Sequence, residues 1–533
     1  MVGGVFMTQS SSAASEKKGI VKFFALVERA GNKLPHPMWI FVILIATTLV
    51  LSFVFAQMGV AVTFMESNSK GEIAEKTVEV VNLLSKKELA LLFSGFTSNL
   101  LDNAVLGNVI TISMCMVLAE QTGFFDAALR KMLLGAPHAV ITYALALMGI
   151  CANIAGDAGN ILAATLGAVV FKAIGRNPVI GIVTAFSAAS AGYTANLAIA
   201  NQDVTLSTTT GTIAASLGYD GFHPLINWYF LASATFVLAF VCMLISEKIV
   251  TPLIGDYHTE ADASGMKKYR LTPEENKGLR NSGIAALVFM AFLLLCSVPA
   301  NSMFRNSDGG ILPKSPLISS IPVLVALFFA MVGTAYGFGS GYIKRFNEIP
   351  KIMQKGISRV ASMILILAIM SQFTTVFKRS NLATVISVNG QGFLKAINLN
   401  GLPLLYLFIL LVCFINFFMT SGSNKWFILA PIFVPMFAGL GIHPALTQIA
   451  YRIGDSCTND ISPLSSTLPV AIALIEEYWD SSRKDKPGLG TVISYQLPFS
   501  IGFMITFVVL LTIFYLFGIP LGPAIPAMPP IVG

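Results

Sequence analysis

FFMTSGSNKWFILAPIFVPMFAGLGIHPALTQIAYRIGDSCTNDISPLSS, residues 417–466, sets Lys425, Arg452, Asp455 and Asp460 inside segments otherwise apolar enough to lie in a membrane. A charge near the bilayer centre costs about 2.5 to 3.5 kcal/mol on insertion scales, so intramembrane charges usually mark an ion or substrate pathway. Two polar runs, TSGSNK (420–425) and GDSCTND (454–460), interrupt the apolar pattern, and their Gly, Ser and Asn favour turns over continuous helix. Broken backbone at that depth survives only where protein or a water-lined cavity satisfies it. Close helix packing through Gly and Ser is the competing reading of the runs. It does not account for four charges together.

Outward from this stretch, 55% of the 533 residues are hydrophobic, 11% are charged and the mean hydropathy is +0.74, which indicates a polytopic membrane protein. A net charge of +7 would suggest nucleic acid in a soluble protein. Here the basic residues collect in loops and report orientation, so no nucleic-acid partner is expected. The six cysteines (Cys115, Cys151, Cys242, Cys296, Cys413, Cys457) lie in apolar segments without paired spacing, arguing against a disulfide framework or zinc site. The five histidines form no HExxH-like cluster. An intramembrane acyl or glycosyl transferase would need a Ser/His or His/Asp dyad or a metal cluster near one face. None is visible, and no enzyme is expected.

Spanning segments are expected near 38–60, 88–120, 178–217, 225–250, 281–300, 317–340, 356–388, 444–478 and 491–518. The first apolar run fills a bilayer behind a long basic leader, so it reads as a retained helix rather than a cleaved signal. The stretches 137–174 and 403–441 each carry a polar break (AGDAGN, 155–160, and SGSNKW, 421–426) and read as re-entrant hairpins. Nine crossings and two hairpins place 23 of the 34 Lys and Arg residues on the side of the N-terminus, 9 on the other, and leave Lys425 and Arg452 within the membrane. The bias predicts a cytoplasmic N-terminus.

Setting position n against n + 266 aligns Gly156-Asp157 with Gly422-Ser423, Pro178 with Pro444 and Ser190 with Ser456. The shared order of helix, long helix, hairpin, broken helix and helix predicts two halves, 37–250 (hairpin 137–174, broken helix 178–217) and 317–518 (hairpin 403–441, broken helix 444–478). Between them, 251–316 holds a cytoplasmic loop, a connecting helix and an outer loop, and 1–36 and 519–533 are tails. The connecting crossing makes the repeat inverted, the build of many secondary transporters, whose sites form where broken segments meet. The fold class is thus an all-α polytopic membrane protein with nine transmembrane helices plus two re-entrant hairpins.

At Ser421-Gly422-Ser423, Trp426, Leu429 to Phe437, His443 to Ala445, Gln448 and Arg452 to Ser456, the sequence resembles the p-aminobenzoyl-glutamate transporter (AbgT) family. VERAGNKLPHP (27–37), GDAG (156–159), GRNPV (175–179), GYTANLAIANQDV (192–204), INWYF (226–230) and GIPLGP (518–523) extend the likeness over nearly the whole chain. The resemblance implies a cation-coupled homodimer that imports p-aminobenzoyl-glutamate or exports sulfonamide antimetabolites. It places Asp203, Ser423, Trp426, Arg452 and Asp455 along the transport site. Asp102, Lys425 and Asp460 depart from the family pattern.

Arg452 keeps its charge and its planar fork suits a carboxylate, so it either clamps a small anionic aromatic substrate or forms a fixed pair with Asp455 one helical turn away. Trp426 either stacks a substrate ring or packs the hairpin tip. Lys425 is a further substrate-binding candidate, and it is expected to neutralise Asp460, since either charge alone is costly at this depth. Asp102, Asp157, Asp203, Asp455 and Asp460 against Lys425 and Arg452 leave three negative charges in excess. A Na⁺ or H⁺ coupling ion would compensate them, the rival to bound Na⁺ being protonation of a buried aspartate. The oxygen ligands expected for Na⁺ are Asp157, Asn160 and Asn196 in the first half and Ser423, Asp455, Thr458 and Asn459 in the second. A dicarboxylate or other small-anion carrier is the alternative.

Overall fold

The computed structural model describes residues 37–67, 73–101, 104–134, 136–137, 140–255, 268–299, 301–307, 309–311, 315–479 and 487–525. The expected N-terminal tail (1–36), Asp102 and the end of the C-terminal tail lie outside the described residues. The helices are α1 (Pro37–Gln57), α2 (Lys86–Ser94), α3 (Phe96–Leu101), α4 (Ala104–Gln121), α5 (Phe124–Leu134), α6 (Ile141–Cys151), α7 (Gly156–Ala173), α8 (Pro178–Ser190), α9 (Asn201–Ala215) and α10 (Trp228–Ile245). There follow α11 (Pro273–Ser297), α12 (Pro316–Ser340), α13 (Glu348–Arg379), α14 (Leu382–Ala396), α15 (Gly401–Asn416), α16 (Gly422–Ala438), α17 (Pro444–Ser456), α18 (Leu468–Glu477) and α19 (Leu489–Leu516). Among the described residues six helical segments are long and apolar enough to cross a membrane by length and composition, with 141–173 counted as one of them, or up to eight if each of two bent pairs forms one span. The chain is a helical multi-pass membrane protein.

Three features depart from the sequence reading. The stretch 88–120 is not one helix: Gly95 separates α2 from α3, where Ser98 bonds back to the Gly95 carbonyl and Asn99 donates to Gln372 on α13 at 3.0 Å. The stretch 356–388 is divided at residues 380–381, because Asn381 takes a left-handed conformation (φ 62°) that ends α13 before α14 begins. A two-stranded antiparallel ribbon, β1 (Ala61–Ser67) with β2 (Ile73–Glu79), has no counterpart in the expected elements. Asn381 donates to the Glu79 carbonyl at 2.8 Å, tying the ribbon to that corner.

The segment 141–173 is as long as a span, yet it doubles back. Gly156 has φ 58°, which an L side chain rarely adopts and which ends the 3₁₀ turn Ala152–Ala155. Thr142 near its start and Arg176 just past its end are hydrogen-bonded at 3.4 Å, and Arg176 clamps Glu247 at 2.7 and 3.0 Å. The returning α7 crosses α8 where Gly167 meets Gly181: a Cβ on Gly167 would stand 2.2 Å from the Gly181 carbonyl oxygen. Such close approach through small residues is how membrane helices gain contact without a hydrophobic drive between them. In α15 and α16 the ring of Phe408 lies 4.7 Å from Phe433 and 5.2 Å from Phe437, so these helices also run back along each other.

The helices after the two hairpins begin alike. Pro178 and Pro444 stand in the first turns of α8 and α17, where a missing N–H costs nothing. Asn177 and His443 cap them by accepting from the Val179 and Ala445 amides at 3.0 and 3.2 Å. Every residue of both helices is buried. Each then stops short of a span: residues 191–200 separate α8 from α9, and 457–467 separate α17 from α18. The first interruption touches the last turn of α17, with Thr194 Oγ1 donating to the Arg452 carbonyl at 2.7 Å and Ser456 bonded to the same Thr194 hydroxyl.

Candidate functional site

Where these ends meet there is a cavity of about 410 Å³. The tip of α6–α7 contributes Asp157 and Asn160, the end of α8 Ser190, the first interruption Tyr193, and the first turns of α9 Asn201, Gln202 and Thr205. The tip of α15–α16 contributes Thr420 to Ser423, and the α17 end and second interruption contribute Asp455, Asn459 and Ser465 to Thr467. Among the described residues no aliphatic side chain lines it. Its wall therefore resembles water to a polar or ionic guest. The Asn160 Oδ1 and Ser190 Oγ atoms are buried without a hydrogen-bond partner, and Asp157 Oδ2 accepts from Ser466 at 2.9 Å.

Two buried ion pairs stand at the rim and behind it. Lys425 Nζ lies 2.8 Å from Asp455 Oδ1 and Arg452 lies 2.6 Å from Asp203 Oδ1, all four side chains being 1–3% exposed. Asp455 also accepts from Gln202 at 3.2 Å, and Lys425 donates to the Asn416 amide oxygen. Asn416 in turn donates to the Asp455 carbonyl, Thr458 and Asn459 at 2.8 to 3.0 Å. One amide thus stitches the second hairpin to the second interruption. Asp203 does more than pair with Arg452, because its Oδ2 accepts from the Ala200 amide at 2.6 Å and starts α9. Arg452 reaches the Thr194 carbonyl at 3.4 Å, so it is held by the first interruption as well as by α9.

These pairings correct the expected ones. Lys425 does not neutralise Asp460; it sits in the first turn of α16, beside the last turn of α17 that carries Asp455, whereas Asp460 lies farther along the chain and accepts from Ser500 of α19 at 2.6 Å. Arg452 is not fixed to Asp455: three-residue spacing puts both on neighbouring faces of α17, but one side chain turns to α9 and the other to the hairpin tip. With those two pairs neutral, Asp157 and Asp460 are the acidic site residues that form no ion pair among the described residues.

Of the expected site residues, Asp157, Asn160, Ser423, Asp455 and Asn459 line the cavity, whereas Asp203, Lys425, Trp426, Arg452, Asn196 and Thr458 do not. Trp426 is fully buried, donates its indole N–H to Thr210 at 3.0 Å and packs on Tyr451 with ring centroids 4.4 Å apart. Asn196 accepts from the Ala198 amide at 3.2 Å, shaping the first interruption. Tyr193 is the aromatic ring that does line the cavity. Sequence reasoning passes over Tyr193, Gln202 and Asn416. The first two sit inside the quoted GYTANLAIANQDV motif, so a signal exists; Asn416 lies in an apolar run and has none.

A family model described as "AbgT putative transporter family" matches residues 22–528. The chain is 34% identical over 520 residues, 97% of its length and 99% of the relative's, to the p-aminobenzoyl-glutamate transport protein of Escherichia coli strain K12. Its fold is similar to the crystal structure of the Alcanivorax borkumensis YdaH transporter, with TM-score 0.83, 29% identity and coverage of 92% of this chain and 100% of that one. Neisseria gonorrhoeae MtrF, a structure described as illuminating a class of antimetabolite efflux pumps, gives TM-score 0.87 and 34% identity over 95% of this chain and 100% of its own.

Proposed function

This chain belongs to the AbgT transporter family, and from that premise we propose that it is a cation-coupled secondary transporter of p-aminobenzoyl-glutamate, of sulfonamide-type antimetabolites, or of both. The observation that carries this reading is the convergence of two hairpin tips and two interrupted helices on one polar cavity. Its volume of about 410 Å³ falls within the roughly 300 to 1,000 Å³ of small-molecule sites. In the proposed arrangement nine spans and two re-entrant hairpins form an inverted repeat in a bacterial inner membrane, with the N-terminus cytoplasmic and two copies forming a dimer.

Asp157 and Asn160 at the first tip and Ser190 at the end of α8 offer hard oxygens to Na⁺, with Ser423, Asp455 and Asn459 opposite. Protonation of a cavity carboxylate is the competing way to carry the coupling charge. Tyr193 offers a ring for an aromatic substrate to stack on, and because Lys425 and Arg452 are already neutralised by Asp455 and Asp203, a cation bound beside the cavity carboxylates would supply the positive potential an anionic substrate needs. Trp426 serves this site by shaping the second tip. A dicarboxylate or similar small anion is the second reading, favoured by a lining with no aliphatic side chain among the described residues. Transport of labelled p-aminobenzoyl-glutamate in competition with sulfonamides and with dicarboxylates separates the two: competition by dicarboxylates alone would replace the first reading with the second.

A further inference from the structure

Behind the cavity, Asp460 is fully buried, and among the described residues it forms no ion pair. One of its oxygens, Oδ1, accepts from Ser500 at 2.6 Å; the other, Oδ2, has no hydrogen-bond partner. Gln496 stands one helical turn before Ser500 on α19, hence on the same face. Its side chain is also fully buried, and neither of its amide heavy atoms has a partner. Ser187 of α8 reaches the Asp460 carboxyl with its hydroxyl, and Ser462, two residues later in the second interruption, has a buried and unpartnered hydroxyl. Lys425 and Arg452, the intramembrane cations nearest in sequence, are engaged by Asp455 and Asp203.

Buried polar atoms nearly always find partners, and a buried carboxylate is paired, protonated or bound to a metal ion. Here α8 and α19 both reach the carboxylate of an unwound segment, through Ser187 and Ser500, and the same face of α19 and the same segment carry the unpartnered Gln496 and Ser462. We propose that Asp460, Gln496, Ser187 and Ser462 form a dehydrated Na⁺ site behind the cavity, separate from the cations expected at the hairpin tips. All its side-chain oxygens are hard donors, which suit alkali and alkaline-earth ions over thiophilic metals. A single carboxylate matches a single positive charge, which selects a monovalent ion. Unwound backbone beside it can add carbonyl ligands. Because the second interruption carries both Asp455 and Asp460, filling this site fixes the segment that closes one side of the cavity. The inference deepens the proposed cation coupling and rests on it only for its consequence for transport.

The test is binding of radiolabelled Na⁺ to the purified full-length protein in detergent, without substrate, with choline chloride holding the ionic strength. Wild type is expected to bind one more Na⁺ per chain than Asp460→Asn, which keeps the shape of the side chain, while Asp157→Asn retains this ion. Gln496→Leu and Ser187→Ala are expected to weaken its half-saturation by about tenfold or more, as loss of supporting ligands does at metal sites. Size-exclusion profiles identify folded variants, and these two carry the test if Asp460→Asn does not fold. Unchanged stoichiometry and affinity in the folded variants, or no Na⁺ binding by wild type, overturns the site. Failure of the substrate reading would instead appear in transport assays and leave this binding intact.

Discussion

In the proposed site, Trp426 and Tyr193 divide between them the two roles that the sequence offers a single tryptophan. Trp426 is sealed between Thr210 and Tyr451, so Trp426→Phe is expected to leave substrate affinity within about twofold while costing about 1 kcal/mol of stability for the lost indole hydrogen bond. Tyr193→Ala removes the ring that faces the cavity and is expected to weaken aromatic substrates by roughly five- to tenfold, the equivalent of one stacking contact. Substrate titrations of both variants in one assay check the pair. The charges partition in the same way. Removing Lys425 alone leaves Asp455 buried and uncompensated, a loss of about 3 to 5 kcal/mol. Lys425→Ala with Asp455→Ala is therefore expected to cost less than the sum of the single changes, whereas Lys425→Ala with Asp460→Ala is expected to be additive. Melting temperatures in detergent read both cycles. In the sequence, cost alone says that these charges must be paired. Which carboxylate each cation reaches depends on the direction of its side chain from the helix, and a one-dimensional pattern does not hold that information.

At the scale of elements, the Gly167–Gly181 crossing holds the first hairpin to α8 and so sets where Asp157 and Asn160 stand. Gly181→Leu is expected to leave little folded protein, because even a Cβ there would lie 2.1 Å from the Gly167 carbonyl oxygen. On the exposed face of α11, Gly283 meets nothing within 4 Å, and Gly283→Ala is expected to stabilise by up to about 1 kcal/mol through helix propensity. A fluorescence size-exclusion profile of each distinguishes a packing glycine from an idle one. The loop before α10 gives a pH test. His223 is buried, its Nδ1 accepts from the Leu225 amide at 3.1 Å and its Nε2 faces the Pro523 carbonyl at 2.9 Å, an arrangement that suits the neutral ring. Burial holds His223 down at about 4 against its ordinary 6.5. The unfolded chain therefore takes up a proton first: stability is unaffected above about pH 6.5, falls as pH drops towards 4, and levels below, for a loss of about 3 kcal/mol. His223→Gln should flatten that part of the melting profile against pH.

For the molecule as a whole, hydrophobic runs and their polar interruptions are legible in the sequence because both obey the bilayer directly. Pro178 and Pro444 mark true helix starts, and the polar runs at 155–160 and 421–426 fall at the tips where the chain turns back. The β ribbon is not legible, since its strands are short and bear charges at Glu66, Glu75 and Lys76 that read as loop. Nor is the division of 88–120, which rests on Ser98 and Asn99 finding partners. The proposed orientation predicts that a C-terminal tag is reachable from outside the cytoplasm and that residues 344–359 are labelled only from within it. The most direct measurement for the central proposal is uptake of labelled p-aminobenzoyl-glutamate into proteoliposomes under separately imposed Na⁺ and proton gradients. Accumulation above equilibrium under one of those gradients, lost in Asp157→Asn and Asp455→Asn, is the predicted result. Movement that merely equilibrates, at the same rate whichever gradient is imposed or none, would contradict it.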